Sequence, residues 1–409
     1  MVKREARNLL VGLDIGTSKI VCVVGEVMPE GHIEIVGLGT HPSRGLKRGV
    51  VVNIEATTQS IRRAVEEAEL MAGCRAQSVY VGISGTHIKS HNSVGVVPVR
   101  SREVSEKDVE NVIEGGRAMA IPADQKVLHV VPQEFVVDGQ EGIQEPVGMF
   151  GVRLEARVHI VTGSVSAAQN LQKCVESCGL HVDKLCLNHL ASAYAVLQQD
   201  ERELGIAMVD IGGGTSDIAV FKGGSVRHTA VLPVAGDQVT NDISVAFRTP
   251  TQAAEDIKLK FGCALPQLIA FDEEIEVPSV GENPPRRLSR LTLSEVIRPR
   301  YEELFRLIRK ELHRSDWYDQ VAGGVVLTGG GCYLPGVQEL AEEVFELPVR
   351  LGLPHNVTGV RDVTRNPAYA SAVGLLLYGR QYQPPRELRS EGGAGYWFER
   401  VSQWFKGNF

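Results

Sequence analysis

The sequence has no long apolar run and no strong excess of either charge. None of its apolar stretches approaches the roughly 18 residues that a transmembrane helix needs, so no membrane-spanning helix is expected. Residues 1–8 lead into the first apolar run without the apolar core of an export signal. The net charge of -7 argues against general nucleic-acid binding, which normally requires a strongly basic surface. These absences predict a cytosolic protein with no nucleic-acid partner.

Cysteine is scarce and irregularly placed. The seven cysteines are scattered along the chain, which predicts reduced and mostly buried thiols. Cys174, Cys178 and Cys186 lie near His181 and His189, but the spacing matches no closed zinc pattern. The Walker sequence Gly-x-x-x-x-Gly-Lys-Ser/Thr is also absent, so the chain is not a P-loop protein.

Two segments share a pattern that is typical of phosphate binding. Residues 14–19 read Asp-Ile-Gly-Thr-Ser-Lys and residues 210–215 read Asp-Ile-Gly-Gly-Gly-Thr, each between two apolar runs. The pattern predicts a strand, a tight turn and a returning strand, in which glycine lets backbone N–H groups approach a phosphate. Asp14 and Asp210 stand where they can hold a divalent cation or its waters. Two such turns indicate a duplicated domain that closes on one nucleotide from both sides.

The rest of the chain alternates predicted strands and helices, which is typical of an α/β fold. Residues 85–162 interrupt the alternation as an insert, and Ser105 and Asp108 resemble a capping box that opens a helix. Residues 272–290 are polar and contain prolines, so we expect them to be irregular. A third glycine turn, Thr-Gly-Gly-Gly at 328–331, precedes a predicted helix, as a nucleotide-contacting turn would.

In this order, the three glycine turns resemble the phosphate, phosphate and adenosine motifs of the actin, heat-shock chaperone and sugar-kinase superfamily. Within it the chain resembles the bacterial cell-division FtsA family, essentially from end to end. The resemblance is carried by residues 14–19, 81–85, 210–215, 254–258, 277–281 and 327–331, and by an aromatic tail at 395–409. It implies an α/β, actin-like (ribonuclease H-like) fold: duplicated domains around a nucleotide cleft, an FtsA-type inserted subdomain and a C-terminal amphipathic helix.

The resemblance also implies how the chain is divided. The expected parts are a first actin-like domain at 1–84 and 163–204, with 366–380 packing back on it, an inserted subdomain at 85–162, a second actin-like domain at 205–235 and 318–365, and a partner-binding subdomain at 236–317. Residues 381–394 have the composition of a flexible linker, because they contain paired prolines and paired glycines.

ATP and Mg2+ are the cofactors that the resemblance implies. The residues that it places around them are Asp14, Gly16, Thr17, Ser18, Lys19, Asp210, Gly212, Gly213, Gly214, Thr215, Gly236, Glu255, Lys258, Gly329, Gly330 and Gly331. Asp14 and Asp210 would hold Mg2+ through water. Taken without the resemblance, Glu255 and Lys258 favour a different interpretation, a solvent-exposed i, i+3 helix pair.

The residues after Leu187 leave ATP hydrolysis open. Many hydrolytic members of the superfamily carry a glutamate there, whereas this chain has Asn188 and His189. Asn188 can orient a water but is a poor general base, and a lone histidine near a helix start is more often structural. We therefore expect nucleotide binding and at most slow hydrolysis, with no clear catalytic carboxylate.

Aromatic side chains are concentrated in residues 395–409. The apolar face of a helix in this segment would carry Trp397, Phe398, Val401, Trp404 and Phe405. Such a helix is too short and too polar to span a bilayer, but it suits the interface of an anionic phospholipid membrane. The alternative is a terminal helix that docks on the chain's own core, which the linker before it disfavours.

Arginine is concentrated between residues 286 and 314 of this acidic chain. Interspersed glutamates fit a solvent-exposed helix, whereas the arginines fit a dock for an acidic peptide. The resemblance implies that this region holds the C-terminal tail of FtsZ, the tubulin-like division protein. Arg286, Arg300 and Glu303 are the contacts we predict.

Together these features predict an actin-like adaptor at the division site, peripheral to the cytoplasmic face of the inner membrane. It would bind ATP, polymerise with copies of itself, tether FtsZ filaments to the membrane and recruit other division proteins. A pilus-assembly adaptor of the same fold and a small-molecule kinase of the same superfamily remain alternatives. The arginine-rich stretch and the aromatic tail favour division, and no clear catalytic carboxylate for a kinase is found between the phosphate turns.

Overall fold

The computed structural model describes residues 8–281 and 284–382. The first apolar runs form the predicted strands, and Leu13, Ile20 and Val23 are fully buried. The elements up to the insert are β1 (Leu9–Ile15), β2 (Lys19–Val27), β3 (Ile33–Pro42), β4 (Leu46–Lys47), β5 (Val50–Val51), α1 (Ile54–Ala72) and β6 (Ser78–Ile83). Helix α1 begins at an Asn53 cap that accepts from the backbone N–H of Ala56, and it ends at a left-handed glycine.

The insert is an antiparallel sheet covered by one helix. Its elements are β7 (Lys89–Pro98), α2 (Glu106–Arg117), β8 (Gln125–Val137), β9 (Gln140–Ile143) and β10 (Arg153–Ser164), with the strands in the order β7-β10-β8-β9. The predicted capping box is confirmed, because Ser105 and Asp108 exchange side-chain to backbone hydrogen bonds at the start of α2. A separate apolar core, which includes Val112, Phe135 and Leu154, holds this part together.

The chain then returns to the first sheet and builds a second one. The remaining elements are α3 (Val165–Glu176), β11 (His181–Leu187), α4 (Asn188–Val196), α5 (Gln199–Leu204), β12 (Ile206–Ile211), β13 (Ser216–Lys222), β14 (Ser225–Leu232), α6 (Gly236–Phe247), α7 (Thr251–Phe261), β15 (Glu274–Val277), β16 (Arg286–Ser289), α8 (Arg290–Arg314), β17 (Val325–Thr328), α9 (Val337–Phe345), β18 (Val349–Leu351), β19 (Val357–Gly359), α10 (Arg361–Thr364) and α11 (Ala370–Tyr382).

The two large sheets repeat one wiring. In the first, β3, β2 and β1 are antiparallel neighbours, and β6 and β11 follow in parallel, with β19 added beside β3. In the second, β14, β13 and β12 are antiparallel neighbours, and β17 and β18 follow in parallel. The predicted duplication of an α/β domain is therefore confirmed.

Helix α11 packs closely on the first sheet and on α4. A Cβ placed on Gly374 would lie 1.8 Å from the carbonyl oxygen of Ala191, and one placed on Gly12 would lie 2.7 Å from that of Ala372. Only glycine permits such close approach of backbones. Leu375 and Leu376 are completely buried in the core that they share with β1 and β2.

The expectation that residues 272–290 are irregular is wrong. Strands β15 and β16 pair antiparallel, with Glu274 opposite Ser289 and Val277 opposite Arg286. In β15 the side chains alternate, so that Ile275 and Val277 are buried while the glutamates face solvent. The prolines around this hairpin hid a period-two pattern that covers only four residues.

The insert is fastened to the second half of the chain by buried polar contacts on β14. Gln133 Nε2 donates to the Val226 carbonyl oxygen (2.8 Å), and His159 Nε2 lies 3.0 Å from Thr229 Oγ1. Ser90 Oγ donates to the Thr229 carbonyl oxygen (2.9 Å). Buried polar groups need hydrogen-bond partners, so these contacts favour one position of the insert against β14.

Candidate functional site: the cleft between the two sheets

The two predicted phosphate turns have the same geometry. In the first, Ile15 pairs with Ile20 and Gly16 N–H donates to the Lys19 carbonyl oxygen (3.1 Å). In the second, Ile211 pairs with Ser216 and Gly212 N–H donates to the Thr215 carbonyl oxygen (3.0 Å). Two equivalent hairpin turns therefore project from the two halves of the molecule, as the sequence pattern predicts.

The turns face each other with almost no space between them. A Cβ on Gly213 would lie 2.7 Å from Ser18 Cβ, and a Cβ on Gly214 would lie 2.7 Å from Thr17 Oγ1. Both positions are therefore restricted to glycine by the opposite turn rather than by their own backbone angles. The arrangement brings backbone groups of both halves to one place, as a polyphosphate-binding nest requires.

Three carboxyl groups lie on the floor of this cleft. The pKa of Asp14 is raised to about 7. Burial is the main cause and the charge of Asp210 adds to it, whereas the charge of Lys19 and the hydrogen bond from Asn188 lower the pKa. Burial likewise raises the pKa of Asp217 to about 7, although Ser84 donates a hydrogen bond to it. Since burial also raises the pKa of Asp210, the floor disfavours full ionisation unless a cation is near.

Hydroxyl and amide groups fix the orientation of these carboxyl groups. Asp210 Oδ2 accepts from Ser192 (2.5 Å) and from Ser371 (3.0 Å), which belong to α4 and α11. Asn188 Nδ2 donates to Asp14 Oδ1 (3.0 Å) from the first residue of α4. Among the described residues, the buried Asn188 Oδ1 and Asp217 Oδ1 have no hydrogen-bond partner, so each remains able to accept from a ligand or from its water.

Lys19 places a cation beside the first turn. Its Nζ lies 4.3 Å from the centre of the Tyr369 ring, a cation–π distance. Burial lowers the pKa of Lys19, and the Asp14 carboxylate opposes that shift. A lysine so placed can bind a polyphosphate as a point charge.

The third glycine turn closes the cleft from the side of β17. Gly329 adopts a positive φ of 86°, and a Cβ there would lie 2.3 Å from Asp210 Oδ1. The carbonyl oxygen of Gly331 accepts from the hydroxyl of Tyr301 (2.6 Å), a residue of α8. Only glycine fits the Gly329 position, because both its φ and its neighbour exclude a side chain.

Glu255 and Lys258 do not form the exposed pair that the residues alone favour. Lys258 is 7% exposed, donates to Thr240 Oγ1 (2.8 Å) and to the Gly236 carbonyl oxygen (3.2 Å), and pairs with Glu255 at 2.6 Å. These contacts join α7 to the start of α6 and orient Glu255 toward the cleft. Sequence spacing could not reveal this, since the burial comes from the packing of α7 against α6.

The cleft has a volume of about 370 Å³ and is lined by all sixteen predicted nucleotide-site residues. It is also lined by residues that the sequence analysis did not assign to the nucleotide site: Ser84, Asp217, Asp237, Leu259, Tyr301, Tyr333, Asn366 and Ser371. Tyr333 was within reach of sequence reasoning, because it follows the third glycine turn by two residues. Ser371 gave no signal, since it lies in an otherwise apolar helical run.

The weak catalytic candidates are separated by the structure. Asn188 lines the cleft, whereas His189 is completely buried and does not line it. Within the described ranges neither ring nitrogen of His189 has a hydrogen-bond partner, and burial lowers the pKa of His189 to about 3. His189 is therefore neutral at ordinary pH, and its place in the core does not suit a catalytic base.

The predicted partner residues already have contacts within the chain. Arg300 donates to both carboxylate oxygens of Asp242 (2.6 and 3.0 Å) and also to Glu303. A guanidinium nitrogen of Arg286 donates to the Phe247 carbonyl oxygen. The predicted membrane residues Trp397, Phe398, Val401, Trp404 and Phe405 lie outside the described residues, as does nearly all of the predicted linker.

Three general features of the described part bear on the predicted chemistry. No cluster of three or more His, Cys, Asp or Glu side chains within residues 8–281 and 284–382 is arranged to hold a metal ion. All seven cysteines are free. In the same ranges, no helix is long and apolar enough to cross a membrane.

Comparison with solved structures defines the fold class. The PilM-PilN type IV pilus biogenesis complex is similar over 93% of this chain and 100% of that chain, with a TM-score of 0.66 and 19% identity. MreB5 of Spiroplasma citri bound to ADP is similar over 90% and 94%, with a TM-score of 0.53 and 14% identity. Together with the duplicated sheets and paired turns, these likenesses define an actin-like protein.

Sequence comparison identifies the family within that class. Residues 207–374 match the family described as "Cell division protein FtsA", and residues 85–162 match "SHS2 domain inserted in FTSA". Cell division protein FtsA of Pseudomonas aeruginosa is 56% identical over 417 residues, and that of Escherichia coli K12 is 46% identical over 420 residues, with 100% of each chain covered. The chain belongs to the FtsA family of cell-division proteins.

Proposed function

We propose that the cleft binds ATP with Mg2+ and that nucleotide binding controls how the chain assembles in cell division. The observation that carries this proposal is the pair of glycine turns, which face each other so closely that a Cβ on Gly213 or Gly214 would touch the opposite turn. A polyphosphate in the cleft that both turns line would accept hydrogen bonds from backbone N–H groups of both halves. Two fold neighbours support the choice of ligand, since they are MreB5 structures described as bound to ADP and to AMPPNP.

The donors around the cleft fit a hydrated magnesium ion. Asp14, Asp210 and Asp217 supply oxygen ligands, and Mg2+ usually keeps several waters while it bridges phosphates. Because no cluster of the described residues is arranged to hold a metal by itself, the ion would enter with the nucleotide. Mg2+ would neutralise phosphate charge there, while Asp14 and Asp210 orient its waters.

Slow hydrolysis is part of the proposal. Asn188 is held by Asp14 (3.0 Å) and keeps its Oδ1 free of any partner among the described residues. It can orient a water, but an amide cannot accept the proton that an attacking water must lose. Nucleotide turnover would then time assembly rather than drive rapid chemistry.

Isothermal calorimetry with Mg-ATP tests the nucleotide site. We expect one ATP per chain, and we expect Lys19→Met to weaken binding by roughly tenfold or more because a phosphate loses its cation. Lys260→Met is the matched control, since Lys260 lies on the exposed side of α7 and outside the cleft. Absence of binding at millimolar ATP, or equal losses in the two variants, would contradict the site.

We further propose that the assembled protein tethers FtsZ filaments to the cytoplasmic face of the inner membrane at the division site. Family membership supports the division role, and the fold likeness to the MamK double helical filament supports self-assembly (TM-score 0.52). Residues 395–409 would attach the assembly to anionic phospholipid through the linker that follows α11. Many weak tails on one polymer would bind more strongly than one, which links assembly to membrane attachment.

The surface at 236–317 is the proposed site for the C-terminal tail of FtsZ. Arg300 is presented by α8 and is held bidentately by Asp242, so an acidic peptide would have to displace that carboxylate. Arg286 and Glu303 flank the same surface in the proposal. Other division proteins would be recruited to the assembled form.

Anisotropy of a labelled FtsZ tail peptide tests this surface. We expect Arg300→Gln to weaken peptide binding by roughly tenfold, because an amide loses the charge that pairs with a carboxylate. Arg306→Gln is the control on the same helix, where the Arg306 side chain is 71% exposed. Equal affinity of both variants for the peptide would remove Arg300 from the proposed contacts.

A further inference from the structure

A second cavity lies away from the cleft, where the insert meets the halves built on the first and second large sheets. It has a volume of about 280 Å³, and its walls come from α2 and β8 of the insert, from β11, α4, α5 and α11, and from β13 and β14. Its apolar lining includes Leu128, Val131, Leu190, Phe221 and Val226. This volume suits one or two large side chains rather than a whole helix.

Aromatic rings and cations lie together in its wall. The rings of Tyr378 and Tyr382 have centroids 4.5 Å apart, and Lys184 Nζ lies 3.6 Å from the centre of the Tyr382 ring. On another side, the Arg202 guanidinium lies 5.4 Å from the centre of the Tyr194 ring. Such walls favour a further aromatic ring, which gains stacking and cation–π contacts as well as burial.

The position of Tyr382 identifies an occupant. Tyr382 is the last residue of α11 and lines the cavity, so the segment that follows it starts at the cavity's edge. Residues 396–405 of that segment contain Tyr396, Trp397, Phe398, Trp404 and Phe405. The intervening residues 383–395 reach up to about 45 Å when extended, which is ample for a return to the cavity.

We propose that this cavity binds the aromatic segment 396–405 of the same chain when no membrane is present. Tethering makes even a weak site effective: at an effective concentration of about 1 mM, a site with an affinity of about 100 μM is about nine-tenths filled. Docked aromatic side chains are withheld from the bilayer, so membrane attachment requires their release. The inference goes beyond the proposed membrane attachment, and docking can be measured by fluorescence in the absence of lipid.

Tryptophan fluorescence reads the docking directly. The chain has three tryptophans, Trp317, Trp397 and Trp404, so the difference between the full chain and a version ending at Ser390 reports the two in the tail. We expect their emission to be blue-shifted, and their acrylamide quenching constant to be about fivefold below that of a 383–409 peptide, because most tails are docked. Quenching equal to that of the peptide would overturn the proposal.

A cavity-filling variant tests the location. Val131→Phe places a larger side chain in the cavity wall and should restore peptide-like quenching, whereas Val94→Phe, at a 53% exposed position in the same insert, should not. Melting temperatures check that both variants fold. If Val131→Phe does not fold, the fluorescence comparison between the full chain and the version ending at Ser390 still tests whether the tail docks. Protection that persists in folded Val131→Phe, or that rises with protein concentration, would overturn docking in this cavity of the same chain.

Vesicle binding separates this inference from membrane attachment itself. If the tail docks, Val131→Phe should bind anionic vesicles at a lower lipid concentration than the parent chain. If the parent shows no fluorescence protection but still binds vesicles, docking is wrong and attachment stands. Protection without any vesicle binding would leave docking standing and contradict attachment.

Discussion

At the scale of single residues, the cleft is defined by positions where a side chain would collide with the opposite half. Gly213 belongs to the second half, and the nearest atom to a Cβ built there is Ser18 Cβ of the first half at 2.7 Å. Such a collision can be relieved by opening the cleft instead of by unfolding either half. Its cost should therefore appear in ligand binding more than in stability.

Gly213→Ala is predicted to weaken ATP binding by about tenfold or more, because the two turns no longer close on one phosphate group. The free energy of unfolding should change by less than about 1 kcal/mol, since the halves can separate slightly. Calorimetry with Mg-ATP and chemical denaturation measure the two quantities. Gly115→Ala is the control, as its added Cβ has only Gly95 Cα, at 3.9 Å, within reach.

A fall in stability of several kcal/mol with unchanged ATP affinity would contradict this account of Gly213. It would show that the glycine serves the packing of the second half rather than the closure of the cleft. The control is expected to leave both quantities near those of the parent, because alanine is well suited to a helix interior.

Asp14 makes the stability of the unliganded protein depend on pH in a defined direction. Its pKa is raised to about 7 in the fold, mainly by burial, from an ordinary value of 3.8. Between these values the folded state keeps a proton that the unfolded state releases, so this carboxyl group's contribution is present at low pH and is lost as pH rises toward 7. Asp14→Asn is predicted to remove the part of the fall in stability with rising pH that comes from this carboxyl group.

The measurement is the melting temperature of parent and variant, without nucleotide, from pH 4 to pH 8. The variant should gain stability relative to the parent as pH rises through this window. Asp183→Asn, at an exposed position on β11 of the same half, is the control and should follow the parent. A difference between variant and parent that does not change with pH would contradict the raised pKa of Asp14.

At this scale, local sequence signals identified residues that share one cleft, and nucleotide binding there stays a prediction. Every predicted nucleotide-site residue lines the cleft, and the glycine turns carry that prediction. The contacts that the sequence did not predict depend on three-dimensional packing. Ser192 and Ser371 reach Asp210 because α4 and α11 pack there. His189 is completely buried, in agreement with the structural role that the sequence favoured for it, although that burial is set by segments distant in sequence.

At the scale of secondary-structure elements, the β13–β14 hairpin joins two sites. Its first strand begins beside the second phosphate turn, where Asp217 Oδ2 accepts from Ser84 (2.6 Å). Its second strand carries Val226 and Thr229, which contact Gln133 and His159 of the insert. One hairpin therefore contacts both the phosphate turn and the insert, and we predict that a change at the turn is transmitted to the insert through it.

Gln133→Ala is predicted to loosen this junction. Removing the amide leaves the Val226 carbonyl oxygen without its 2.8 Å partner in a buried place, which costs about 1–3 kcal/mol. Hydrogen exchange should show faster exchange in β8 and β14 while the first sheet stays protected. Gln172→Ala on α3, whose side-chain amide donates to the exposed Glu176, is the control.

Unchanged exchange in β14 would mean that the insert is held by its apolar contacts and that Gln133 is dispensable. A uniform rise in exchange over the whole chain would mean that the variant lowers global stability instead of loosening one junction. Either result would separate the hairpin from any role in transmitting a change at the cleft.

Secondary structure was predictable where periodicity is long or a cap is present. The α2 capping box and the strands around both phosphate turns follow from local pattern alone. The β15–β16 hairpin did not follow, because four residues among prolines give too little period-two signal. Contacts between the insert and β14 pair residues far apart in sequence, which no local pattern indicates.

At the scale of the whole molecule, the account joins three proposals in one chain: a cleft that binds a nucleotide, a surface that binds an acidic peptide, and a tail that binds a membrane. The tail's role is a proposal from composition. Polymerisation would connect the functions, since it multiplies tails on one assembly and so raises avidity.

Vesicle co-sedimentation tests the central claim most directly. The full chain and a version ending at Ser390 are mixed with anionic or neutral phospholipid vesicles, each with Mg-ATP or Mg-ADP. The account predicts that the full chain pellets with anionic vesicles, more with ATP than with ADP, while the shortened chain stays in the supernatant. If both chains stay in solution, or both pellet equally, tail-mediated and nucleotide-dependent attachment is contradicted.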